Sequence, residues 1–510
     1  MVFYRLLDQM SAKNGSPERC RSGIEGLDDI LGGGFPRNRL HLIHGHPGVG
    51  KTTLALQFLL QGKKEGEKCL YITLSETSEE LQAVAASHGW NLEGIHLFDL
   101  SSVDDLLKME SQNTLFHPSE VELSQTADML LKEIARVQPV RVVFDSLSEL
   151  RLLAQSPLRY RRQILMMKQF FIGRKCTVML LDDSSSSRAD EQIQSLVHGV
   201  VALEQLEPEY GAERRRINVE KMRGVRFSGG YHDYIIAEGG IVVFPRLIAA
   251  EHARQFKPEP IPSEIAEFDA LLGGGFDRGT SNLIIGPAGC GKSTLAIHYA
   301  TTMAQRGERS AFFAFDENLG TLVHRAETLG QKVSAALQSG LIRLHQVNPA
   351  ELSPGELTLK IRRAVEEDKV RLVVIDSLNG YTNAMPQEKF LTLQLHELLA
   401  YLGHKGVISI LVVAQHGMIG HMSVPVDLTY LSDTAILLRY FEAAGSVRQA
   451  ISVFKKRSGR HERTIREFQL GPEGIRIGKP LTEFQGVLAG VPQFIGDAST
   501  MLRQQREFSR

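Results

Sequence analysis

Short apolar runs alternate along the chain with segments of helical spacing, and glycine-rich breaks separate them. In the first half the run LHLIHG (40–45) stops at a glycine-rich loop, and Leu54, Ala55, Phe58 and Leu59 then recur at the spacing of one helix face. Two further apolar runs follow, VRVVFDS (140–146) and CTVMLLDD (176–183). The second half has their counterparts in VRLVVIDS (370–377) and VISILVVAQH (407–416). Strands alternating with helices predict βαβ units around a mainly parallel sheet flanked by helices, an α/β fold. Each half then closes on β-like runs, among them RRINVEKMRG (215–224) and QAISVFKKRSG (449–459).

The two halves are copies. Residues 22–45, SGIEGLDDILGGGFPRNRLHLIHG, align without a gap on residues 263–286, SEIAEFDALLGGGFDRGTSNLIIG, at a shift of 241, the difference between 286 and 45. The joint is expected at 247–262, where KPEPIP (257–262) is rich in proline and charge. Residues 1–15 and 481–510 are expected to be tails, with domains at 16–246 and 263–480.

Composition narrows the function classes. A chain of 510 residues exceeds a single core, and 43% hydrophobic with 23% charged residues excludes a largely disordered or fibrous chain. Lys+Arg number 58 and Asp+Glu 59, which disfavours a nucleic-acid coat protein. Cys20, Cys69, Cys176 and Cys290 are far apart and form no C-x-x-C pair, which argues against a zinc or disulfide framework and for a reduced, cytoplasmic setting. No apolar run has the length of a membrane span, so a membrane role is not expected.

The chemistry is concentrated after the first strand of each copy. Gly45-His46-Pro47-Gly48-Val49-Gly50-Lys51-Thr52 and Gly286-Pro287-Ala288-Gly289-Cys290-Gly291-Lys292-Ser293 both fit G-x-x-x-x-G-K-[ST]. Such a loop turns backbone N–H groups of Gly48, Val49, Gly50, Thr53, or of Gly289, Cys290, Gly291, Thr294, toward phosphate oxygens at a helix N-terminus. Lys51 and Lys292 would bring charge to the β/γ-phosphates, and the Thr52 and Ser293 hydroxyls would ligate Mg²⁺. Asp145 and Asp376, each ending an apolar run before a serine, are placed to hold that ion's hydration shell, or else simply begin a turn. Glu76, and Asp316 with Glu317, follow the next apolar strands; they are candidate bases for an attacking water or hydroxyl, or caps for the next helix. No guanine-reading N/T-K-x-D motif is present, so ATP is expected over GTP.

With paired phosphate loops, strand-end acids and the doubled SGI…LD…LGGGF lead, the chain resembles the KaiC family, ATPases with two fused RecA-like domains. The resemblance runs from about residue 16 to 490. It implies two tandem RecA-like P-loop NTPase domains, and a two-tiered homohexamer with ATP at the seams between subunits. It also implies that Lys221-Met222-Arg223-Gly224 and Lys455-Lys456-Arg457-Ser458, matching a K-x-R-G segment, reach a neighbour's nucleotide, and that Ser87-His88-Gly89-Trp90 flanks it. Two adjacent acids are usual in the family; the first copy has Ser75-Glu76, the second Asp316-Glu317. The family's type member is a serine/threonine autokinase, and its adjacent Ser-Thr acceptor pair is here Thr429-Tyr430, leaving Thr429 as the acceptor.

The expectation is an ATP- and Mg²⁺-dependent signalling ATPase with unidentified signalling partners. A DNA-acting recombinase or helicase is the competing reading, resting on Arg214-Arg215-Arg216 and on Arg460, Arg463 and Arg466. A nucleotide-gated scaffold with little turnover is another, resting on Ser75.

Overall fold

The computed structural model describes residues 18–100, 129–154, 156–183, 193–207, 211–252, 256–383, 391–415, 430–443, 445–488 and 492–496. They form two compact units that divide mainly between Arg246 and Leu247.

The first unit is built on β1 (Leu40–Gly45), α1 (Lys51–Lys64), β2 (Cys69–Thr73), α2 (Ser78–Ser87), β3 (Ile95–Asp99), β4 (Arg141–Asp145), β5 (Thr177–Asp183), β6 (Gly199–Leu206), β7 (Arg214–Met222), β8 (Tyr231–Ala237) and β9 (Gly240–Phe244). Its sheet has the spatial order β3-β2-β4-β5-β1-β6-β7-β8-β9. Pairing is parallel from β3 to β6 and antiparallel from β6 to β9. The second unit repeats this with β10 (Ser281–Gly286), α3 (Lys292–Gln305), β11 (Ser310–Ala314), α4 (Leu319–Thr328), β12 (Ile342–Gln346), β13 (Leu372–Asp376), β14 (Ile408–Ala414), β15 (Thr434–Ala443), β16 (Ser446–Lys456), β17 (Arg466–Gly471) and β18 (Gly474–Pro480). Its order, β12-β11-β13-β14-β10-β15-β16-β17-β18, is the same permutation. The expected α/β fold with two mainly parallel sheets is thus present in both units.

The sequence dictates why the strands are apolar throughout. On β1, Ile43 packs with α1 on one face while Leu40 and Leu42 enter a second core on the other. A sheet covered on both faces needs hydrophobic residues at successive positions rather than alternate ones. Leu54, Phe58 and Leu59 press α1 onto the sheet with no exposed surface, each burial contributing about 1.5–3 kcal/mol. The doubled lead is explained by one local device. Ser22 donates its backbone N–H and its hydroxyl to Asp28 at 2.8 Å, and Ser263 does the same to Asp269 at 2.7 and 2.8 Å. In the LGGGF turn, a Cβ on Gly34 would lie 2.4 Å from the Cys20 carbonyl oxygen, and one on Gly275 2.1 Å from that of Ile261.

The described parts of the expected linker and tail are packed. The stretch 247–262 makes contacts in its described part. Leu247 and Ala249 are buried in the second unit's core, and Pro260–Ile261 pairs antiparallel with Phe276–Asp277. Apolar residues between the charged positions give this stretch surface to bury. The expected tail beyond 480 is likewise packed at first: Phe484–Gln485 pairs with Gln493–Phe494, and Val487 is buried against Phe441, Ala443 and Ala450. No helix among the described residues is long and apolar enough to cross a membrane.

Candidate functional site

Each phosphate loop joins the central strand to a buried helix. Gly50 and Gly291 stand immediately before α1 and α3 with φ of 92° and 94°, a left-handed conformation that favours glycine. Val49 and Cys290 are fully buried and anchor the loops, whereas Gly48 and Gly289 are exposed beside them. The Tyr234 hydroxyl donates to the Val49 carbonyl at 2.6 Å. Thr53 and Thr294 are buried one position past the hydroxyls of Thr52 and Ser293, so only their backbone N–H groups are suited to a phosphate.

The two lysines fold over their loops. Lys51 Nζ donates to the Gly45 and His46 carbonyls at 2.8 and 3.0 Å and pairs with Asp183 at 2.8 Å. Lys292, buried, donates to the Pro287 carbonyl at 2.6 Å. A loop that presents N–H donors, a lysine and a hydroxyl in this order suits a polyphosphate with its divalent cation.

The acids converge on the same sheet edge. Thr73 lies opposite Asp145 and Ala314 opposite Asp376 in parallel register. Beyond each strand, Leu74 N–H donates to the Asp145 carbonyl and Phe315 N–H to the Asp376 carbonyl, both at 2.7 Å. Ser75-Glu76 and Asp316-Glu317 come directly after these clasps. Asp145 is buried, which pushes its carboxyl up from its ordinary value, against the opposing pull of Tyr71, Lys51 and Thr52. Asp376 rises to about 6, through burial first and through Glu317; Ser293 and Lys292 oppose this. Both aspartates sit beside the hydroxyl and the lysine of their own loop, a donor set that fits hydrated Mg²⁺. Glu76 is also raised, by burial and then by Asp145, and its buried Oε2 has no hydrogen-bond partner. A carboxylate whose pKa is raised and that keeps an uncommitted oxygen is a better proton acceptor than an ordinary one.

Capping is done by other residues. Thr77 caps α2 in a reciprocal box with Glu80, and Asn318 caps α4 through Gly320 N–H. Neither Glu76 nor Glu317 is the helix cap that the sequence left open. Glu317 instead pairs with Arg325 at 2.7 Å, and Asp316 accepts a hydrogen bond from Ser377.

The Lys/Arg segments lie elsewhere. Met222 is opposite Gly199, and Gly199 is opposite His41; Lys456 is opposite Thr434, and Thr434 is opposite Asn282. Both pairs stand at the starting ends of β1 and β10, four residues or roughly 13 Å of strand from the loops. Lys221 and Arg223 donate to the carbonyls of Gln194 and Ser195; Lys455 and Arg457 donate to those of Ser432 and Tyr430. The structure therefore does not bring Lys221, Arg223, Lys455 or Arg457 to the loop of their own unit. Ser87, exposed at the end of α2, donates to Val84. Its neighbour His88 donates from Nδ1 to the Ala237 carbonyl at 3.2 Å, and Trp90 lies against Gly240 at the β8–β9 turn. Thr429 lies outside the described residues.

Four contributors were missed by motif reading: Tyr71 on Asp145, Asp183 on Lys51, Ser377 on Asp316 and Arg325 on Glu317. Only Ser377 had a signal, as the serine after the strand-end aspartate. The basic clusters are neutralised in part: Arg215 pairs with Glu213, Arg216 with Glu204, and Arg466 with Glu462.

Comparison with known proteins identifies the family. The family described as the KaiC ATPase matches twice, over residues 20–248 and 261–482, one match to each unit. The circadian clock oscillator protein KaiC of Acaryochloris marina is 26% identical over 497 residues, covering 96% of this chain and 92% of its own. That of Thermostichus vulcanus is 27% identical over 481 residues, covering 92% and 90%. The circadian clock protein KaiC2 of Synechocystis sp. is 27% identical over 501 residues, covering 96% and 87%. Two matches that together span most of the chain, each carrying its own phosphate loop and strand-tip aspartate, make this chain a member of the KaiC ATPase family.

Proposed function

We propose that the chain binds and hydrolyses ATP with Mg²⁺ at both phosphate loops, as the working part of a cytoplasmic, homohexameric signalling ATPase. The observation that carries this reading is the placement of charge in each unit. Loop lysine, loop hydroxyl, strand-tip aspartate and catalytic acid gather at one end of the sheet, while the K-x-R segment stands at the other. In a ring of like subunits, that second end meets the next subunit's nucleotide. Lys221 and Arg223, and Lys455 and Arg457, would then stabilise charge on a phosphoryl group supplied by a neighbour.

When bound, Mg²⁺ would offset the negative charge of the phosphates. Thr52 with Asp145, and Ser293 with Asp376, would hold it. Lys51 and Lys292 would leave their loop carbonyls for the phosphates. Glu76, or Asp316 with Glu317, would orient water and accept its proton. The second unit has two carboxylates where the first has Ser75 and Glu76, so it is the better placed to activate a hydroxyl as well. Phosphotransfer to Thr429 is proposed on that pair of acids and on the family resemblance.

Native mass measurement of the full chain with ATP and Mg²⁺, followed by phosphosite mapping of the same sample, tests the reading. A hexamer that dissociates when nucleotide is removed is expected, because ligand bound at seams stabilises assembly by mass action. A monomer at micromolar concentration in saturating ATP refutes the ring. Phosphate at Thr429 that disappears in Lys292→Ala supports the kinase step, and its absence in the wild-type sample removes that step alone.

A further inference from the structure

Tyr71 and Phe312 hold the same place in the two sheets. Tyr71 lies opposite Val143, two residues before Asp145; Phe312 lies opposite Val374, two residues before Asp376. Both side chains are fully buried on the face that α1 or α3 covers. They differ by one hydroxyl. The Tyr71 hydroxyl donates to Asp145 Oδ2 at 2.6 Å, and the Thr52 side chain lies beside both groups. Phe312 offers Asp376 no such donor, and Ser293 is the hydroxyl next to that carboxylate. Tyr71 is shut off from water, so its hydrogen bond to a carboxylate is not exchanged for bonds to solvent.

We propose that Tyr71 is a positioning residue that raises the Mg²⁺ requirement of the first nucleotide site, so that the two sites of one chain load at different Mg²⁺ concentrations. The bond engages one carboxylate oxygen and draws charge from it. A hydrated metal approaching Thr52 and Asp145 then meets a weaker acceptor, already turned toward the phenol. The second site has no such competitor. This inference rests on the reading of Thr52 and Asp145 as the metal-holding pair.

The test reads binding rather than turnover. In the full chain with Lys292→Ala, so that only the first site reports, a fluorescent non-hydrolysable ATP analogue is titrated with MgCl₂. Tyr71→Phe is expected to lower the Mg²⁺ concentration at half-saturation about tenfold, with analogue binding in EDTA unchanged. Phe312→Tyr, measured in a Lys51→Ala chain, is expected to raise that of the second site by a similar factor. A tyrosine that only fills space and satisfies a buried carboxylate would leave the requirement unchanged or raised in Tyr71→Phe, and that result overturns the proposal. If Tyr71→Phe does not fold, the Phe312→Tyr arm decides: a raised requirement supports the proposal and an unchanged one overturns it. Asp145→Asn in the first background separates the two levels of inference. Should it leave the Mg²⁺ requirement unaltered, the metal-holding pair is itself misassigned. Should it raise the requirement while Tyr71→Phe fails to lower it, only the role of Tyr71 falls.

Discussion

Asp376→Asn should make the protein more stable at neutral pH while impairing its second nucleotide site. The Asp376 carboxyl has its titration moved from an ordinary 3.8 to about 6 in the fold, with burial the leading cause. Folding therefore favours the protonated acid. Below about pH 4 both folded and unfolded states carry the proton, and Asp376 imposes no penalty. As pH rises toward 6, the unfolded chain releases the proton more readily than the folded one, and stability is lost. Above 6 the whole penalty is present. A displacement of about two units corresponds to about 3 kcal/mol. Asparagine removes the charge and keeps an oxygen to accept from Ser293, so about 2 kcal/mol of stabilisation should survive its own imperfect fit. For a unit of this size that is a rise of roughly 4–8 °C in the melting temperature. The assay is thermal unfolding of the full chain at pH 5 and pH 8, with and without ATP and Mg²⁺. The gain of Asp376→Asn should be larger at pH 8 than at pH 5. Saturating ligand should narrow the difference, because the wild type recovers about 2.7 kcal/mol at a hundredfold excess over its dissociation constant. Equal gains at both pH values, or a loss at pH 8, would refute the argument that a desolvated carboxylate is held there for the metal.

Three further outcomes follow from the site. Lys51→Ala and Lys292→Ala should each weaken nucleotide binding at one site about tenfold to a hundredfold, the worth of a charge-assisted bond, leaving half the bound nucleotide at intermediate concentrations by equilibrium dialysis. Glu317→Gln should retain binding and lower the turnover of the second unit by about 10²–10⁴, measured in a Lys51→Ala chain. Ser75→Glu should raise turnover of the first unit in a Lys292→Ala chain by adding the carboxylate that the second unit already has in Asp316; a decrease with intact assembly would count against the pairing of acids.

Much of the fold was legible because its determinants are local and repeated. Continuous apolar runs such as Val142-Val143-Phe144 mark strands buried on both faces, and the loop from Gly45 to Thr52 announces the strand–helix junction it joins. The candidate residues on that edge were legible for the same reason: glycine spacing, lysine and hydroxyl are consecutive in the chain. Contacts made across strands left no such trace. Tyr71 meets Asp145 only because β2 and β4 are neighbours in register, though 74 positions separate them in sequence. Asp183 reaches Lys51 because β5 lies beside β1 and ends level with Gly45. The stretches read as linker and tail concealed their packing because their few apolar residues, Leu247, Ala249 and Val487, are too sparse to show a period.

The differences between the units bear on what duplication has done here. The sheet order, the Ser–Asp clasp of the lead, the left-handed glycine before each helix and the backbone bond from strand end to aspartate carbonyl are the same in both. What differs touches the reacting end. Ser75 stands against Asp316, Tyr71 against Phe312, and Asp183, which pairs with Lys51, has Ala414 as its counterpart opposite Gly286. Each change alters charge or hydrogen bonding beside the loop lysine or the strand-tip aspartate and leaves the cores filled: Tyr71 and Phe312 are equally buried. Substitutions that conserve shape while redistributing charge keep a common scaffold stable and give its two sites different chemistry. In the first unit they remove one acid, add a donor to Asp145 and give the loop lysine a carboxylate partner, and on the proposed reading all three would slow turnover. The second unit keeps both acids, lacks the phenol, and holds its lysine on the Pro287 carbonyl and the Cys290 sulfur of its own loop. On the proposed reading the second site has the faster chemistry, and turnover measured in a Lys51→Ala chain should exceed that in a Lys292→Ala chain.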